Sequence, residues 1–216
     1  MENTQQKKII GICGLWHLGS VLAACWSDNG FKTIGFDYDQ ERVKNLQAGR
    51  APLYEPGLDV LLARGISNNR LSFTFQMQDI SRCDYVFIAW DTAVRDDDST
   101  DASLLYAAVA QLSGIIKETA LVIISSQMPV GTSEKFQQIL QSKKHNVQVI
   151  YSPENLKLGE ALKSYQEPGR VILGVSNDFA RKIALSLFEA ISSEYLIMDL
   201  ASAEMVKHGI NSFLAT

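Results

Sequence analysis

The side chains with the clearest chemical potential lie near the end of this sequence, on a predicted helix. Lys207 and Asn211 are four residues apart, and residues at that spacing are neighbours on one helix face. An ammonium and an amide placed together can stabilise negative charge that develops on a substrate oxygen. On spacing alone, a solvent-facing polar pair is the more common interpretation.

A glycine-bounded turn from Gly14 to Gly19 is the second feature with chemical meaning. It follows a short apolar run and precedes a helix-like segment, the arrangement that binds a dinucleotide pyrophosphate on backbone N–H groups. Asp37 lies 23 residues past Gly14, where a carboxylate contacts a ribose hydroxyl and favours NAD over NADP. Trp16 replaces the second glycine, so it must swing aside or cover the phosphate. The alternative is an ordinary βαβ turn that binds nothing.

Composition restricts the classes of protein to which this chain can belong. Of its 216 residues, 46% are hydrophobic and 20% are charged, as in a soluble globular protein. The net charge of −4 is spread along the chain, and no apolar run reaches the roughly 18 residues that span a bilayer. We therefore expect neither nucleic acid nor a membrane as a partner. The polar residues 1–7 predict a disordered tail without a signal peptide, and hence a cytoplasmic protein.

The cysteines and the acidic loop suggest no metal site. Cys13, Cys25 and Cys83 lie in apolar surroundings without metal-ligand spacing, which favours small core residues in a reducing compartment. The acidic run 96–98 follows an apolar strand and is interpreted as a solvated loop. We therefore expect no bound metal and no nucleophilic cysteine within these residues.

Strand-like and helix-like segments alternate throughout residues 8–216. This alternation predicts one doubly wound, Rossmann-like α/β domain with a mainly parallel sheet. Polar segments begin at Trp90, Ser125 and Ser152, each directly after an apolar strand, so we expect them to line one edge of the sheet. Thr132 is expected to cap the helix that follows the second of these segments.

The last helix is predicted over residues 203–214. It carries one apolar stripe, and no glycine or proline follows it as a stop signal before Thr216. We therefore expect a helix that is cut short. The residues of the stripe are Val206, Ile210, Phe213 and Leu214.

Several ordered motifs resemble the N-terminal NAD-binding domain of the nucleotide-sugar dehydrogenases, the UDP-glucose and GDP-mannose 6-dehydrogenases. The resemblance runs from Ile9 to Thr216. Its motifs are Gly-Leu-x-x-x-Gly (14–19), Asp37 with Glu-Arg-Val (41–43), Gly49-Arg with Tyr-Glu-Pro-Gly-Leu (54–58), Pro-Val-Gly-Thr (129–132), Ser-Pro-Glu-x-Leu (152–156) and Ala-Glu-Met-Val-Lys-x-x-x-Asn-x-Phe-Leu-Ala-Thr (203–216).

The resemblance implies a function and a set of site residues. This family oxidises a sugar C6 alcohol to the acid with two NAD in succession, through a cysteine-bound thiohemiacetal and thioester. Glu154 would handle protons and water, while Lys207 and Asn211 would stabilise the oxyanion. These three and Leu156 would contact the UDP- or GDP-linked sugar. The residues implied to hold NAD are Gly14, Leu15, Gly19, Asp37, Arg42, Thr92 and Ser126.

Departures from the family's motifs leave two hypotheses. Gln127 replaces a hydroxyl that would position water, and Leu158 replaces a second carboxylate; Asp91-Thr-Ala stands for Gly-Thr-Pro. The resemblance places the nucleophilic cysteine beyond Thr216, in a sugar-binding C-terminal domain. The chain is thus either the NAD-binding part of a dehydrogenase that is a homodimer at full length, inactive as these 216 residues alone, or a non-catalytic module that binds NAD or a nucleotide sugar.

Overall fold

The computed structural model describes residues 8–94, 100–154, 156–192 and 194–214, with the side chains of residues 93, 94, 211 and 214 left out. Two predictions, the disordered tail 1–7 and the solvated acidic loop 96–98, lie outside the described residues.

Among these residues, eight strands form one sheet and two short strands form a hairpin. The order in the sheet is β10-β9-β8-β7-β4-β1-β2-β3, and every neighbouring pair is parallel except β8 with β9. The mainly parallel α/β fold is therefore confirmed. The strands are β1 Ile9–Cys13, β2 Lys32–Phe36, β3 Leu71–Thr74, β4 Tyr85–Ile88, β5 Ala93–Val94, β6 Thr100–Asp101, β7 Leu121–Ile124, β8 Gln148–Tyr151, β9 Val171–Val175 and β10 Tyr195–Met198.

Helices cover both faces of the sheet, which is why its central strands are apolar on both sides. One core contains Trp26, Tyr165 and Phe188, and the core on the opposite face contains Leu112 and Phe136. The helices are α1 His17–Asp28, α2 Gln40–Gln47, α3 Leu58–Ser67, α4 Ser103–Ile115, α5 Thr132–Gln141, α6 Ala161–Gln166, α7 Asp178–Phe188 and α8 Leu200–Leu214, with a 3₁₀ helix at Met77–Arg82.

The prediction that Thr132 caps α5 is wrong. Gly131 is the N-cap residue, with φ of 87°, and Thr132 is the first helical residue. The Thr132 hydroxyl donates to the carbonyl oxygen of Pro129 at 2.5 Å. The start of α5 is instead held by Glu204, a side chain from α8, so the cap is a tertiary contact.

Candidate functional site

The loops that leave β4, β7 and β8 meet at one edge of the sheet, as the sequence predicted. Together with the first turn of α1 and with α8 they enclose a cavity of about 400 Å³. The residues that line it are His17, Leu18, Trp90, Asp91, Thr92, Ser125, Ser126, Gln127, Glu154, Leu156 and Lys207. Five of the predicted site residues, Thr92, Ser126, Glu154, Leu156 and Lys207, therefore border one space.

The glycine turn before α1 has a shape that only glycine allows. Gly14 has φ of +93°, and a Cβ there would lie 2.5 Å from the backbone nitrogen of Trp90. A Cβ at Gly19 would lie 1.7 Å from the carbonyl oxygen of Gly14. No side chain caps α1, and its first turn, which is fully described, contains no acidic residue. The backbone N–H groups at this helix start therefore suit an anion such as a pyrophosphate.

Asp37 follows β2 and is 3% exposed. Its Oδ2 accepts hydrogen bonds from the Leu15 N–H at 2.7 Å and from Nη1 of Arg42 at 2.8 Å, and its Oδ1 accepts from the Asp39 N–H at 3.0 Å. An ionised carboxylate has about four acceptor positions, so one remains on Oδ1 for a ribose hydroxyl. The Leu15 N–H is already bonded to Asp37 and fixes the position of that carboxylate, so direct contact of Leu15 with a cofactor stays a prediction.

Trp16 has swung aside from the main cavity. Its ring is 41% exposed, and the Arg42 guanidinium lies 5.1 Å from the ring centroid, in a cation–π contact. Trp16 and Arg42 line a separate concavity of about 380 Å³ together with Asn45 and Pro52. Of the two arrangements expected for Trp16, the structure shows the one that leaves the main cavity open.

Thr92 and Ser126 lie at the carboxyl ends of β4 and β7 and bond across the two loops. The Thr92 hydroxyl donates to the carbonyl oxygen of Gln127 at 2.9 Å, and the Ser126 hydroxyl donates to that of Trp90 at 2.6 Å. Their oxygen lone pairs remain available as acceptors. The buried Ser125 hydroxyl finds no partner among the described residues, and it borders the cavity. A buried polar atom of this kind fits a bound polar ligand such as a dinucleotide.

Glu154 and Lys207 lie together in the cavity although 53 residues separate them. Nζ of Lys207 donates to the backbone carbonyl oxygen of Glu154 at 2.7 Å. Burial raises the pKa of the Glu154 carboxyl to about 8, an effect that Lys207 opposes in part. Burial lowers the pKa of Lys207, and Glu154 opposes this in turn. A carboxyl with this pKa can take up or release a proton near neutral pH.

The helix that carries Lys207 also contains Asn211, one turn further along α8. The Asn211 side chain lies outside the part of the structure that is described, so its predicted contact with the same ligand stays a prediction.

A buried glutamate that the sequence did not single out fixes α8. Glu204 is fully buried, and its Oε2 accepts from the Gly131 N–H at 2.6 Å. Its Oε1 accepts from the Ser133 N–H at 2.7 Å and from the Ser133 hydroxyl at 2.6 Å. Because Lys207 lies one turn beyond Glu204, this anchor sets the position of the Lys207 ammonium. A sequence signal for this role was available, because Glu204 is an acidic residue among the apolar residues that begin the motif 203–216.

Two further polar residues of the cavity were missed as well. His17 lies in the first turn of α1, and its Nε2 is 2.8 Å from Oε1 of the buried Glu55. Asp91 follows β4; partial burial raises the pKa of its carboxyl, against the opposing effect of His17 and Arg42. His17 lies between Gly14 and Gly19, and Asp91 lies beside Thr92, but neither was among the residues predicted for the site.

The cysteines lie apart from this chemistry. Cys13, Cys25 and Cys83 are buried free thiols, and burial raises the pKa of each, to about 12 for Cys25 and Cys83. A thiol of high pKa and no access is a poor nucleophile. Across the described ranges, no three His, Cys, Asp or Glu side chains come together as a metal site. None of the described helices is long and apolar enough to cross a bilayer.

Both the sequence and the fold are similar to known proteins. The family described as the UDP-glucose/GDP-mannose dehydrogenase family, NAD binding domain, matches residues 8–192. A UDP-glucose 6-dehydrogenase of Pseudomonas aeruginosa is 33% identical over 215 residues, which cover 95% of this chain and 48% of that protein. One of Rhizobium meliloti is 30% identical over 215 residues, covering 95% and 49%.

A solved structure gives the same result. The UDP-glucose dehydrogenase of the hyperthermophilic archaeon Pyrobaculum islandicum is 29% identical, with a TM-score of 0.91, and the match covers 100% of this chain and 51% of that one. The chain thus spans about half the length of the curated relatives it matches.

Proposed function

Because the chain belongs to the UDP-glucose/GDP-mannose dehydrogenase family through its NAD-binding domain, we propose that it acts in the NAD-dependent oxidation of the C6 alcohol of a nucleotide sugar. The family match confirms both the resemblance drawn from the motifs and NAD as the cofactor. The observation that carries the proposal is the convergence of Glu154 and Lys207 in the cavity that the glycine turn borders.

Each group of the cavity has a role in this proposal. Bound NAD supplies the hydride acceptor. The α1 amides and the free acceptor position of Asp37 hold the dinucleotide, and Thr92 and Ser126 contact it from the neighbouring loops. Glu154 accepts the proton of the alcohol, since its pKa of about 8 lies near the working pH. Lys207 and Asn211 stabilise the negative charge that the oxygen develops as its proton passes to Glu154, before the hydride leaves the carbon.

Oxidation beyond the aldehyde through a cysteine adduct would need a thiol from outside these 216 residues. A second hydride transfer requires a covalent or hydrated form of the aldehyde, and the three cysteines are buried with raised pKa values. Since the chain spans about half of its relatives, we assign only the dinucleotide half of the reaction to residues 8–216. A UDP- or GDP-linked sugar substrate, a homodimer for the full-length protein and a cytoplasmic location belong to the same proposal.

A non-catalytic binding module is the second candidate function. Gln127 and Leu158 stand where the family's motifs have a hydroxyl and a carboxylate that help to activate water. The Leu158 side chain is 65% exposed, so it does not pack in the core. The leucine therefore gives no structural gain in place of the carboxylate that the family's motif has there. A module that has lost hydrolysis could still bind NAD and a nucleotide sugar.

Binding and hydride transfer distinguish the two candidates. NAD is titrated into the chain by calorimetry, and UDP-glucose or GDP-mannose is then added to the complex with the protein in excess while NADH absorbance is recorded. For the dehydrogenase we expect up to one NADH per sugar molecule added, with formation slowed in Lys207→Ala but not in the surface variant Lys143→Ala. Binding of either ligand without NADH supports the module. Failure to bind NAD contradicts the dehydrogenase, and failure to bind either ligand contradicts both candidates.

A further inference from the structure

The motif Tyr54–Leu58 has a buried carboxylate at its centre that the proposed reaction does not use. Glu55 is 4% exposed and lies in the loop between α2 and α3. Its Oε1 accepts from the Gly159 N–H at 2.8 Å, and its Oε2 accepts from the Ala161 N–H at 3.3 Å. These amides start α6, which has no other side-chain cap among the described residues. Glu55 therefore fixes a segment that is more than 100 residues away in sequence.

The third partner of Glu55 is the ring of His17. Burial by itself would raise the pKa of Glu55, but hydrogen bonds from Gly159, His17 and Ala161 hold it below its ordinary value. Glu55 is thus ionised at neutral pH and accepts only, so Nε2 of His17 must carry the proton of their 2.8 Å contact. This hydrogen bond to a charged carboxylate uses Nε2 and fixes the orientation of the His17 ring.

His17 connects this carboxylate to the cofactor side of the cavity. It is the first residue of α1, the helix whose N-terminal amides suit the pyrophosphate, and its ring borders the main cavity. Gly159 and Ala161 close the loop that begins after β8 and carries Glu154 and Leu156. A single buried carboxylate thus joins the helix that receives the cofactor to the loop that receives the substrate.

We infer that His17 is a positioning residue for the loop that carries Glu154, acting through Glu55. In this arrangement the ring holds the Glu55 carboxylate, the carboxylate holds the amides of Gly159 and Ala161, and these amides set where Glu154 and Leu156 stand. Binding of NAD to the first turn of α1 then steadies the substrate loop as well. The inference depends on the proposed function only for the identity of the ligands.

Amide hydrogen exchange at Gly159 and Ala161, resolved by NMR, tests the inference. In His17→Leu the carboxylate loses one of its three donors, so we expect about tenfold faster exchange at both amides without ligand, with a fall of only about 2–4 °C in the melting temperature. His17→Gln retains an N–H donor on a side chain of similar reach and is expected to restore most of the protection. His145→Leu is the control, because it makes the same change at an exposed histidine between α5 and β8. It should leave these two amides unchanged.

A second comparison uses NAD as the probe. In the wild-type chain, saturating NAD is expected to slow exchange at Gly159 and Ala161 at least threefold, and in His17→Leu this protection should be lost while calorimetry still detects NAD binding. Unchanged exchange in ligand-free His17→Leu, or full NAD-induced protection in that variant, would overturn the inference. Failure of the wild-type chain to bind NAD would contradict the proposed function, and the ligand-free comparison would still decide the role of His17.

Discussion

At the scale of single residues, we expect the Asp37 carboxylate to set dinucleotide preference most directly. Two of its acceptor positions are filled by Leu15 and Arg42 and a third by Asp39, which leaves one for a ribose hydroxyl. The same negative charge repels a 2′-phosphate, although Arg42 beside it offers a cation. Preference for NAD therefore depends on how firmly Arg42 stays paired with Asp37.

Replacing Asp37 with Asn tests this balance. We expect the wild-type chain to bind NAD at least about tenfold more tightly than NADP, which is roughly 1.4 kcal/mol. In Asp37→Asn the gap should close, because the repulsion is lost and Arg42 is released towards a 2′-phosphate. Calorimetry with both dinucleotides measures the ratio. Tighter binding of NADP by the wild type would show that Arg42 dominates.

The raised pKa of Glu154 makes stability depend on pH. Because the folded pKa of about 8 exceeds the ordinary 4.5, the fold favours the protonated form. This contribution is complete below about pH 4.5 and is lost as the pH rises through 8. Glu154→Gln lacks it, so the free energy of unfolding of the variant should gain on the order of 4 kcal/mol relative to wild type between pH 5 and pH 8.5. Urea melts at both pH values measure this, and a difference independent of pH would contradict it.

We expect Lys207 to affect the rate of the proposed oxidation more than the binding of NAD. In a preparation that turns over, Lys207→Ala should lower kcat on the order of a hundredfold, because its ammonium meets charge that appears only in the transition state. The Kd for NAD should change little. Asn211→Ala is expected to act in the same direction and to combine non-additively, as two groups on one oxygen do. Full activity in Lys207→Ala would contradict the role of the ammonium.

At the scale of elements, α8 is positioned by contacts near its first turns. Glu204 bonds to the start of α5, and His208 donates to the carbonyl oxygen of Met128. Both contacts lie on the side of α8 that faces the β7–α5 connection. Lys207 lies between them in sequence, so its position in the cavity follows from how α8 docks.

Glu204→Gln should destabilise this docking. The amide can accept but has lost the charge that strengthens hydrogen bonds from Gly131 and Ser133, so we expect a loss of about 1–3 kcal/mol in the free energy of unfolding. Ser133→Ala removes one of the three donors and should cost less, about 1 kcal/mol. Denaturant titrations of both variants give the comparison. Equal losses would show that the charge of Glu204 contributes little.

Sequence patterns predicted the elements that depend on local residues. The apolar runs expected before Gly14 and before Ser125 are the strands β1 and β7. The cap of α5 was predicted wrongly and α6 was not predicted, because their N-termini are held by Glu204 and Glu55 from distant parts of the chain. No local pattern reports a cap that arrives through tertiary structure.

The site also has features that local sequence predicts and features that depend on tertiary contacts. Gly14 and Asp37 could be assigned from spacing, since the turn and the strand end fix their separation. The meeting of Glu154 with Lys207 came from the resemblance, because spacing on α8 alone favoured a solvated pair. The links through His17 and Glu55 depend on how three loops pack, which no motif in the sequence encodes.

At the scale of the whole molecule, the sheet places all three loops of the cavity at one edge and the α8 helix beside them. The apolar residues of α8 differ in their exposed fraction. Val206 and Ile210 are partly buried, whereas Met205 is 57% exposed and Phe213 is 80% exposed. Of the stripe expected on this helix, the Leu214 side chain is not described. These exposed apolar side chains make α8 a surface suited to association.

The 216-residue chain should therefore associate weakly through α8. Light scattering is expected to show a mass that rises with concentration, because a few exposed apolar side chains bury less area than the roughly 1,200 Å² of a stable interface. Phe213→Glu places a charge on this face and should abolish the rise, whereas Phe179→Glu, at a phenylalanine of α7 that is 60% exposed, should not. A tight dimer whose mass is independent of concentration, and which both variants preserve, would place the interface on another face of the domain.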